Sequence, residues 1–120
     1  MIAPPTPIRR PALRYYGGGW TRACWTVSHF PAHDNYLEPC FGAGSILFRK
    51  SLAKLETVND IDGRVTNFFT VLREQPAALV AGIQLTPWAE DEFASCLLPA
   101  GDPLEDARRF FFSCWASVRG

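Results

Sequence analysis

The segment at 36–45, Tyr-Leu-Glu-Pro-Cys-Phe-Gly-Ala-Gly-Ser, places a carboxylate and two glycines where a strand would turn into a helix. Gly42 and Gly44 carry no side chain, so a ligand could approach the loop backbone closely. A helix beginning at Ser45 would offer free N–H groups and a partial positive charge to an anionic group of that ligand. The segment therefore predicts a binding loop.

A second candidate group, Asp60, directly follows the run at 55–59, which predicts another strand. In nucleoside- and dinucleotide-binding folds, an acid at this place hydrogen-bonds to ribose hydroxyls. A glycine loop followed by such an acid indicates a ribose-bearing ligand. The alternative is that the glycines only form a turn and that Asp60 only caps the next helix.

The elements that would position these groups alternate along the chain. A strand, a helix and a second strand within ~30 residues form a β-α-β unit, which must pair in parallel. The fold class is therefore α/β, the N-terminal part of a Rossmann-like fold, with parallel strands, flanking helices and a helical segment behind them. Apolar spacing and turn residues predict helices over 21–30, from 45, from 63, over 76–85, over 87–97 and over 104–118, and strands over 35–39 and 55–59.

The composition is that of one globular domain, with 120 residues, 48% hydrophobic and 20% charged. The division predicted within it is a flexible proline-rich arm at 1–12, a binding part at 13–75 and a helical segment at 76–120. The arm lacks the apolar run of a signal peptide, and no segment is long enough to span a membrane, which predicts a cytoplasmic protein. Trp88, Trp115 and the phenylalanines are expected in the core.

The formal net charge is zero, which argues against strong non-specific binding to nucleic acid but leaves a local basic face open. Cys24, His29, His33 and Cys40 form a local cluster in which the two histidines have a spacing seen in zinc sites. The chain has no C-x-x-C pair, however, and Pro31 would disturb a helix presenting both histidines. We therefore predict no metal, and reduced thiols.

Three blocks of this sequence resemble the Dam-like family of DNA adenine-N6 methyltransferases, in versions found in phages and bacteria. Tyr-Tyr-Gly-Gly at 15–18 resembles the aromatic-x-Gly-Gly-Lys block that opens the family. Glu-Pro-x-x-Gly-Ala-Gly-Ser at 38–45 is similar to its Glu-Pro-Phe-x-Gly-x-Gly-Ser loop. Asn-Asp-Ile-Asp at 59–62, with the helix after it, resembles its acidic block. The resemblance runs from Arg14 to the end of the sequence.

The resemblance implies S-adenosyl-L-methionine as the cofactor and double-stranded DNA as the partner of the complete enzyme, as in DNA methylation and restriction-modification. Tyr15 would lie near the adenine, Glu38 near the methionine amino group and Asp60 near the ribose. Asp60→Ala is expected to weaken cofactor binding in a calorimetric titration. Arg14 and Arg22 are candidates for DNA phosphate contacts. The full set of candidate cofactor residues is Tyr15, Gly17, Gly18, Glu38, Pro39, Gly42, Gly44 and Asp60.

The sequence departs from the family pattern in three places. Gly19 stands where the family has lysine, and Cys40 where it has the loop phenylalanine. The catalytic Asp-Pro-Pro-Tyr block, which positions the flipped adenine, occurs nowhere in the 120 residues. We therefore assign no catalytic residue, and expect a truncated chain that is inactive alone and that joins a companion chain or self-associates through exposed apolar surface. The alternatives are a non-catalytic remnant and another nucleotide-binding Rossmann module.

Overall fold

The secondary structure is known for residues 6–117, which are the residues that the computed structural model describes. Part of the predicted arm, at 1–5, and the predicted helix end at Val118 lie outside this range. No helix within it has the length and apolarity needed to cross a bilayer. The elements are helix α1 (Trp20–Ser28), strand β1 (Asn35–Glu38), a 3₁₀ turn (Leu47–Arg49), strand β2 (Leu55–Val58) and helices α2 (Gly63–Glu74), α3 (Pro76–Gln84), α4 (Glu90–Cys96) and α5 (Pro103–Ala116).

The two strands form a parallel pair in which Asn35 lies opposite Leu55 and Glu38 opposite Val58. The predicted parallel pairing and the mixed α/β class are confirmed. The helix predicted from Ser45 is wrong, because the chain forms only the 3₁₀ turn there. Lys50 ends that turn with an extended backbone, and its ammonium pairs with Glu56 of β2. Residues 51–54, which have no regular structure, lead from there into the second strand.

The core lies between α2, α3 and α5 and extends to the residues before α1. Phe68 of α2 is 1% exposed and packs against the rings of Phe110 and Phe111. Leu13 is fully buried in the same cluster, and the indole of Trp115 donates to the carbonyl of Ala12 at 2.9 Å. The parts predicted at 13–75 and 76–120 therefore share one core.

An aspartate precedes each of the two longest helices. Asp62 precedes α2 and accepts from the N–H of Arg64 at 2.9 Å, and Asp102 precedes α5 and accepts from the N–H of Glu105 at 2.9 Å. These are N-cap hydrogen bonds, which satisfy helix donors that would otherwise have no partner. Pro103 occupies the first turn of α5, where a missing N–H costs nothing.

Ion pairs join the helices at the rim of the core. The Arg108 guanidinium contacts carboxylates of Glu92 and Glu105, each at 2.7 Å, and donates to the Thr86 hydroxyl at 3.0 Å. Arg108, acting against burial and supported by Arg109, lowers the pKa of the Glu105 carboxyl to about 2. The Arg108 guanidinium is thus satisfied by side chains of the helical part.

The expectation for the aromatic residues is only partly correct. Phe110 and Phe112 are buried, whereas Trp115 is half-buried. The expectation for Trp88 is wrong, because its side chain is 70% exposed. Trp88 lies in the irregular segment before α4 and contacts Phe112 through a T-shaped ring pair with centroids 4.9 Å apart. That contact covers one side of the indole and leaves the other uncovered.

Candidate functional site

A cleft of about 720 Å³ opens at the carboxyl ends of the two parallel strands. In open α/β sheets, ligands bind at this edge. Its walls are the segment before α1, the loop after β1 and the segment after β2. The lining residues are 15–19, 38–43, 45–46 and 59–61. All of the residues predicted to bind a cofactor line this cleft except Gly44.

Asp60 holds the loop in place from the opposite wall of the cleft. Its Oδ2 accepts from the N–H of Gly42 at 2.8 Å, and its Oδ1 accepts from the N–H of Asp62 at 3.0 Å. The N–H of Phe41 donates to the carbonyl of Asn59 at 3.0 Å. A carboxylate offers about four lone-pair positions, so Asp60 can fix the loop and still accept a hydroxyl of a ligand.

Tyr15 supports the loop from beneath. A Cβ built on Gly42 would lie 3.1 Å from Cδ1 of Tyr15, so a side chain at position 42 would require the ring to move by a few tenths of an ångström. Burial, followed by the charges of Asp60 and Asp62, raises the pKa of the Tyr15 phenol. Tyr15 is thus partly buried. Its ring packs against the loop and also lines the cleft.

The neighbouring Tyr16 was missed by the sequence reasoning. Its ring is 80% exposed and lines the cleft, so it has free area for a flat ligand. Tyr15 and Tyr16 are adjacent aromatic residues of the same type, and only the three-dimensional packing distinguishes them. No signal in the sequence separated the supporting ring from the free one.

Gly44 lies behind the loop rather than in the cleft. Its φ is +72°, a left-handed conformation that favours glycine. A Cβ at this position would lie 2.6 Å from both Cζ of Phe41 and Cε2 of Phe48. Glycine is therefore required here because two core rings lie close to the backbone. The sequence had suggested that a ligand would lie there.

The loop turns Phe41 inward and Cys40 outward. Phe41 is buried, with its ring centroid 4.9 Å from that of Phe69 and 6.0 Å from that of Phe48. Cys40 is exposed and lines the cleft. Phe41 therefore anchors the loop to the core, while a free thiol occupies the wall beside Glu38.

Glu38 ends β1 and presents a carboxylate to the cleft. Burial raises its pKa, whereas the Tyr36 hydroxyl, the N–H of Leu47 and the charge of Lys50 lower it. The Tyr36 hydroxyl donates to Oε2 of Glu38 at 2.9 Å. The Lys50 ammonium lies 4.5 Å from the centre of the Tyr36 ring. These contacts hold the carboxylate in one orientation at the cleft wall.

Ser45 carries a buried hydroxyl for which the described part of the chain supplies no hydrogen-bond partner. The residue is 7% exposed and lines the cleft. Its Oγ is the sole side-chain atom of this kind among the described residues. A buried hydroxyl without a partner costs about 1–3 kcal/mol, and a polar ligand in the cleft would remove that cost.

The charge of the cleft is negative. Glu38 and Asp60 line it, and among its lining residues there is no lysine, arginine or histidine. The glycine loop leads into a 3₁₀ turn of three residues, which provides no helix dipole for a phosphate. The cleft therefore favours a ligand that carries positive charge and lacks phosphate.

The other candidate residues lie elsewhere. Arg14 and Arg22 are exposed, and neither lines the cleft. Between residues 6 and 117, no group of three or more histidine, cysteine or acidic side chains is arranged to hold a metal ion. All four cysteines are free thiols.

Comparisons with known proteins add no assignment. Neither a protein-family model nor a curated protein matches the chain. The interpretation of the cleft therefore depends on its own geometry and on the resemblance of its sequence blocks.

Proposed function

We propose that the cleft binds S-adenosyl-L-methionine, and that this chain is the cofactor-binding part of a DNA adenine-N6 methyltransferase with a Rossmann-like fold. The observation that carries the proposal is an acidic cleft without basic residues, at the carboxyl ends of parallel strands, with the unpartnered Ser45 hydroxyl in its wall. S-adenosylmethionine carries an ammonium and a sulfonium and has no phosphate. A dinucleotide would bring two phosphates into the same negative field.

The residues of the cleft fit the polar groups of this cofactor. Glu38 offers a carboxylate to the amino group, and Ser45 offers a hydroxyl to the carboxylate of the methionine part. Asp60 retains acceptor positions for ribose hydroxyls, and the exposed ring of Tyr16 offers a face to the adenine. When bound, the cofactor supplies an electrophilic methyl group. The residues of this chain bind and orient it.

Methyl transfer requires groups that the 120 residues do not contain. An adenine amine is activated by the Asp-Pro-Pro-Tyr block in the family that the chain resembles, and this sequence has no such block. We therefore expect the chain by itself to bind the cofactor without methylating DNA. Gly19 and Cys40, at the places of the family lysine and phenylalanine, favour a second candidate function, a cofactor-binding module without catalysis.

The free thiol of Cys40 provides a direct test. Cys24 is equally a free, exposed cysteine, but it lies outside the residues that line the cleft and serves as an internal control. We expect S-adenosylmethionine to slow alkylation of Cys40 by iodoacetamide and to leave the rate at Cys24 unchanged, as read by mass spectrometry. NAD should protect neither cysteine. Equal labelling of Cys40 with and without S-adenosylmethionine would refute the proposal.

Asp60→Ala sharpens this test, because it removes both the loop clamp and the candidate ribose contact. We expect loss of Cys40 protection and an affinity lower by at least about tenfold in a calorimetric titration, the effect of a hydrogen bond to a charged group. Asp102→Ala is the matched control, since it removes an N-cap aspartate outside the cleft. Unchanged binding by Asp60→Ala would contradict the role given to Asp60.

A further inference from the structure

The charges of this neutral chain are separated along its length. Residues 1–33 contain four arginines, two histidines and no acidic residue. The remaining residues contain all twelve acidic side chains and eight of the twelve basic ones. The first part of the chain therefore carries a net charge of +4 and the rest −4, with histidines neutral. A segment of this kind attracts polyanions although the whole protein does not.

Helix α1 and the residue after it display part of this positive charge together with aromatic rings. Arg22, Trp25 and His29 follow one another at helical spacing and share one face, and all three are exposed. The Trp25 side chain is 69% exposed. Ala23, on another side of the helix, is fully buried. We call the face of Arg22, Trp25 and His29 the α1 surface.

The rings of the α1 surface are held in place. Nδ1 of His29 lies 2.8 Å from the carbonyl oxygen of Trp25, a hydrogen-bonding distance, and the two ring centroids are 4.4 Å apart. The imidazole thus contacts the indole and restricts it while most of the indole stays open to solvent. A restricted, exposed aromatic ring loses little conformational entropy when a flat ligand stacks on it.

A second set of cations adjoins the same helix. The Arg49 guanidinium lies 4.8 Å from the Trp20 ring centroid and donates to Sγ of Cys24 at 2.7 Å. Arg49 and Arg9 line a shallow groove of about 500 Å³. Arg49 therefore lies beside α1, and Arg9 shares its groove, so that both can meet an anionic backbone.

We propose that the α1 surface binds single-stranded nucleic acid, with an unpaired base stacked on Trp25 and backbone phosphates near the arginines. Base–aromatic stacking combined with a positive groove is the recognised mode of binding to single strands. Paired bases in a duplex present no free face to the indole. An acidic peptide would use the charge without the ring, and a lipid surface would require a continuous apolar face, whereas Trp25 is the one apolar side chain of the α1 surface. The proposal concerns a surface apart from the cleft and does not rest on the proposed function.

The test compares two exposed tryptophans in opposite electrostatic surroundings. Trp25 lies in the part of the chain without acidic residues, whereas Trp88, 70% exposed, is followed by Glu90, Asp91 and Glu92. We would measure binding of dye-labelled oligodeoxythymidylate and oligouridylate by fluorescence anisotropy at several salt concentrations. Trp25→Ala should weaken binding at least about fivefold, the loss of one stacked base. Trp88→Ala should leave it unchanged.

Arg22→Ala should also weaken binding and should reduce the slope of log K against log salt by about 1. Binding of either the DNA or the RNA strand with these variant effects supports the proposal. It is overturned if neither strand binds at low salt, if duplex DNA binds as tightly as single strands, or if polyglutamate competes as well as the oligonucleotide. Equal losses in Trp25→Ala and Trp88→Ala would also overturn it. If Trp25→Ala fails to fold by circular dichroism, Arg22→Glu takes its place, and retention of full affinity by that variant overturns the proposal.

Discussion

The helical part of the molecule, α2 to α5, and the strand–loop part, residues 35–62, are held in their conformations by different kinds of contact. In the helical part, apolar rings pack against one another, and the Arg108 guanidinium pairs with two carboxylates, those of Glu92 and Glu105. In the strand–loop part, Leu37 is 66% exposed and the Ser45 hydroxyl has no partner within the described residues. The helical part thus covers these groups with its own side chains, whereas the strand–loop part leaves an apolar side chain and a hydroxyl without such contacts among the described residues.

The strand–loop part owes its order mainly to carboxylates. Asp60 binds two backbone N–H groups, and Glu56 accepts from the N–H of Ala53 at 3.0 Å and pairs with Lys50. Parallel strands are usually covered on both faces, yet one face of this pair is exposed at Leu37 and Leu55. Hydrogen bonds such as those of Asp60 fix the loop without filling the cleft beside it, so the cleft stays open.

The largest predicted effect contrasts one apolar side chain from each part. Phe68→Ala should destabilise the fold by about 3–5 kcal/mol, because the side chain is 1% exposed and its loss leaves a cavity among three other rings. Leu37→Ala should change the free energy of unfolding by less than about 0.5 kcal/mol, because the residue is largely solvated. Urea denaturation followed by circular dichroism measures both.

The comparison between the two parts fails if Leu37→Ala costs as much as Phe68→Ala. That result would mean that the exposed sheet face is covered in solution, and sedimentation of the wild-type chain would then show self-association. If the wild type is monomeric and Leu37→Ala costs little stability, the difference between the two parts is supported.

A second prediction concerns two glycines, each with positive φ. Gly44→Ala forces a Cβ-bearing residue into the left-handed conformation, at about 1–2 kcal/mol, and must also displace the Phe41 and Phe48 rings, at a further about 1–3 kcal/mol. Gly17 has a φ of +76°, and no atom lies within 4 Å of the place that a Cβ would take there. Gly17→Ala should therefore cost only the first amount. If the two substitutions lower the free energy of unfolding equally in thermal or urea unfolding, the Phe41 and Phe48 rings move aside without a measurable cost.

Local signals in the sequence were sufficient for most elements. Pro76 begins α3 as predicted, and the segments predicted as strands over 35–39 and 55–59 form the parallel pair. The glycine loop and Asp60 each follow a predicted strand, and because parallel strands bring their carboxyl ends to one edge, the structure brings Asp60 to the N–H of Gly42. These are features of short segments and of chain direction.

The details that failed depend on contacts between distant segments. The helix predicted from Ser45 has good local spacing, but Lys50 pairs with Glu56 and extends the backbone. Gly44 resembles a ligand-facing glycine in sequence, and only the arrival of two rings from the core shows its packing role. Trp88 has a core-type side chain, yet the chain after α3 leaves it at the surface. None of these outcomes is encoded in a window of neighbouring residues.

The smallest predicted effect tests whether the hydrogen bond from Tyr36 also sets the pKa of Glu38 and, through it, the pH dependence of the proposed ligand binding. The Glu38 carboxyl must be ionised to hold an ammonium, and burial already raises its pKa. Tyr36→Phe removes a hydroxyl that lowers this pKa, so the pKa of Glu38 should rise further. Affinity for S-adenosylmethionine should then be lost at a higher pH than in the wild type as the pH falls from neutral. Calorimetric titrations across that range measure the midpoint.

The sign follows from which form the hydroxyl stabilises. The Tyr36 O–H donates to Oε2 of Glu38 and so favours the carboxylate, and the phenol stays protonated at neutral pH and below. Tyr16→Phe is the matched control, because it removes a hydroxyl from an exposed ring of the same cleft. A shift of the midpoint in Tyr16→Phe but not in Tyr36→Phe would reverse the assignment. A shift in Tyr36→Phe alone would show that the strand beneath the cleft sets the charge of the group that faces the ligand.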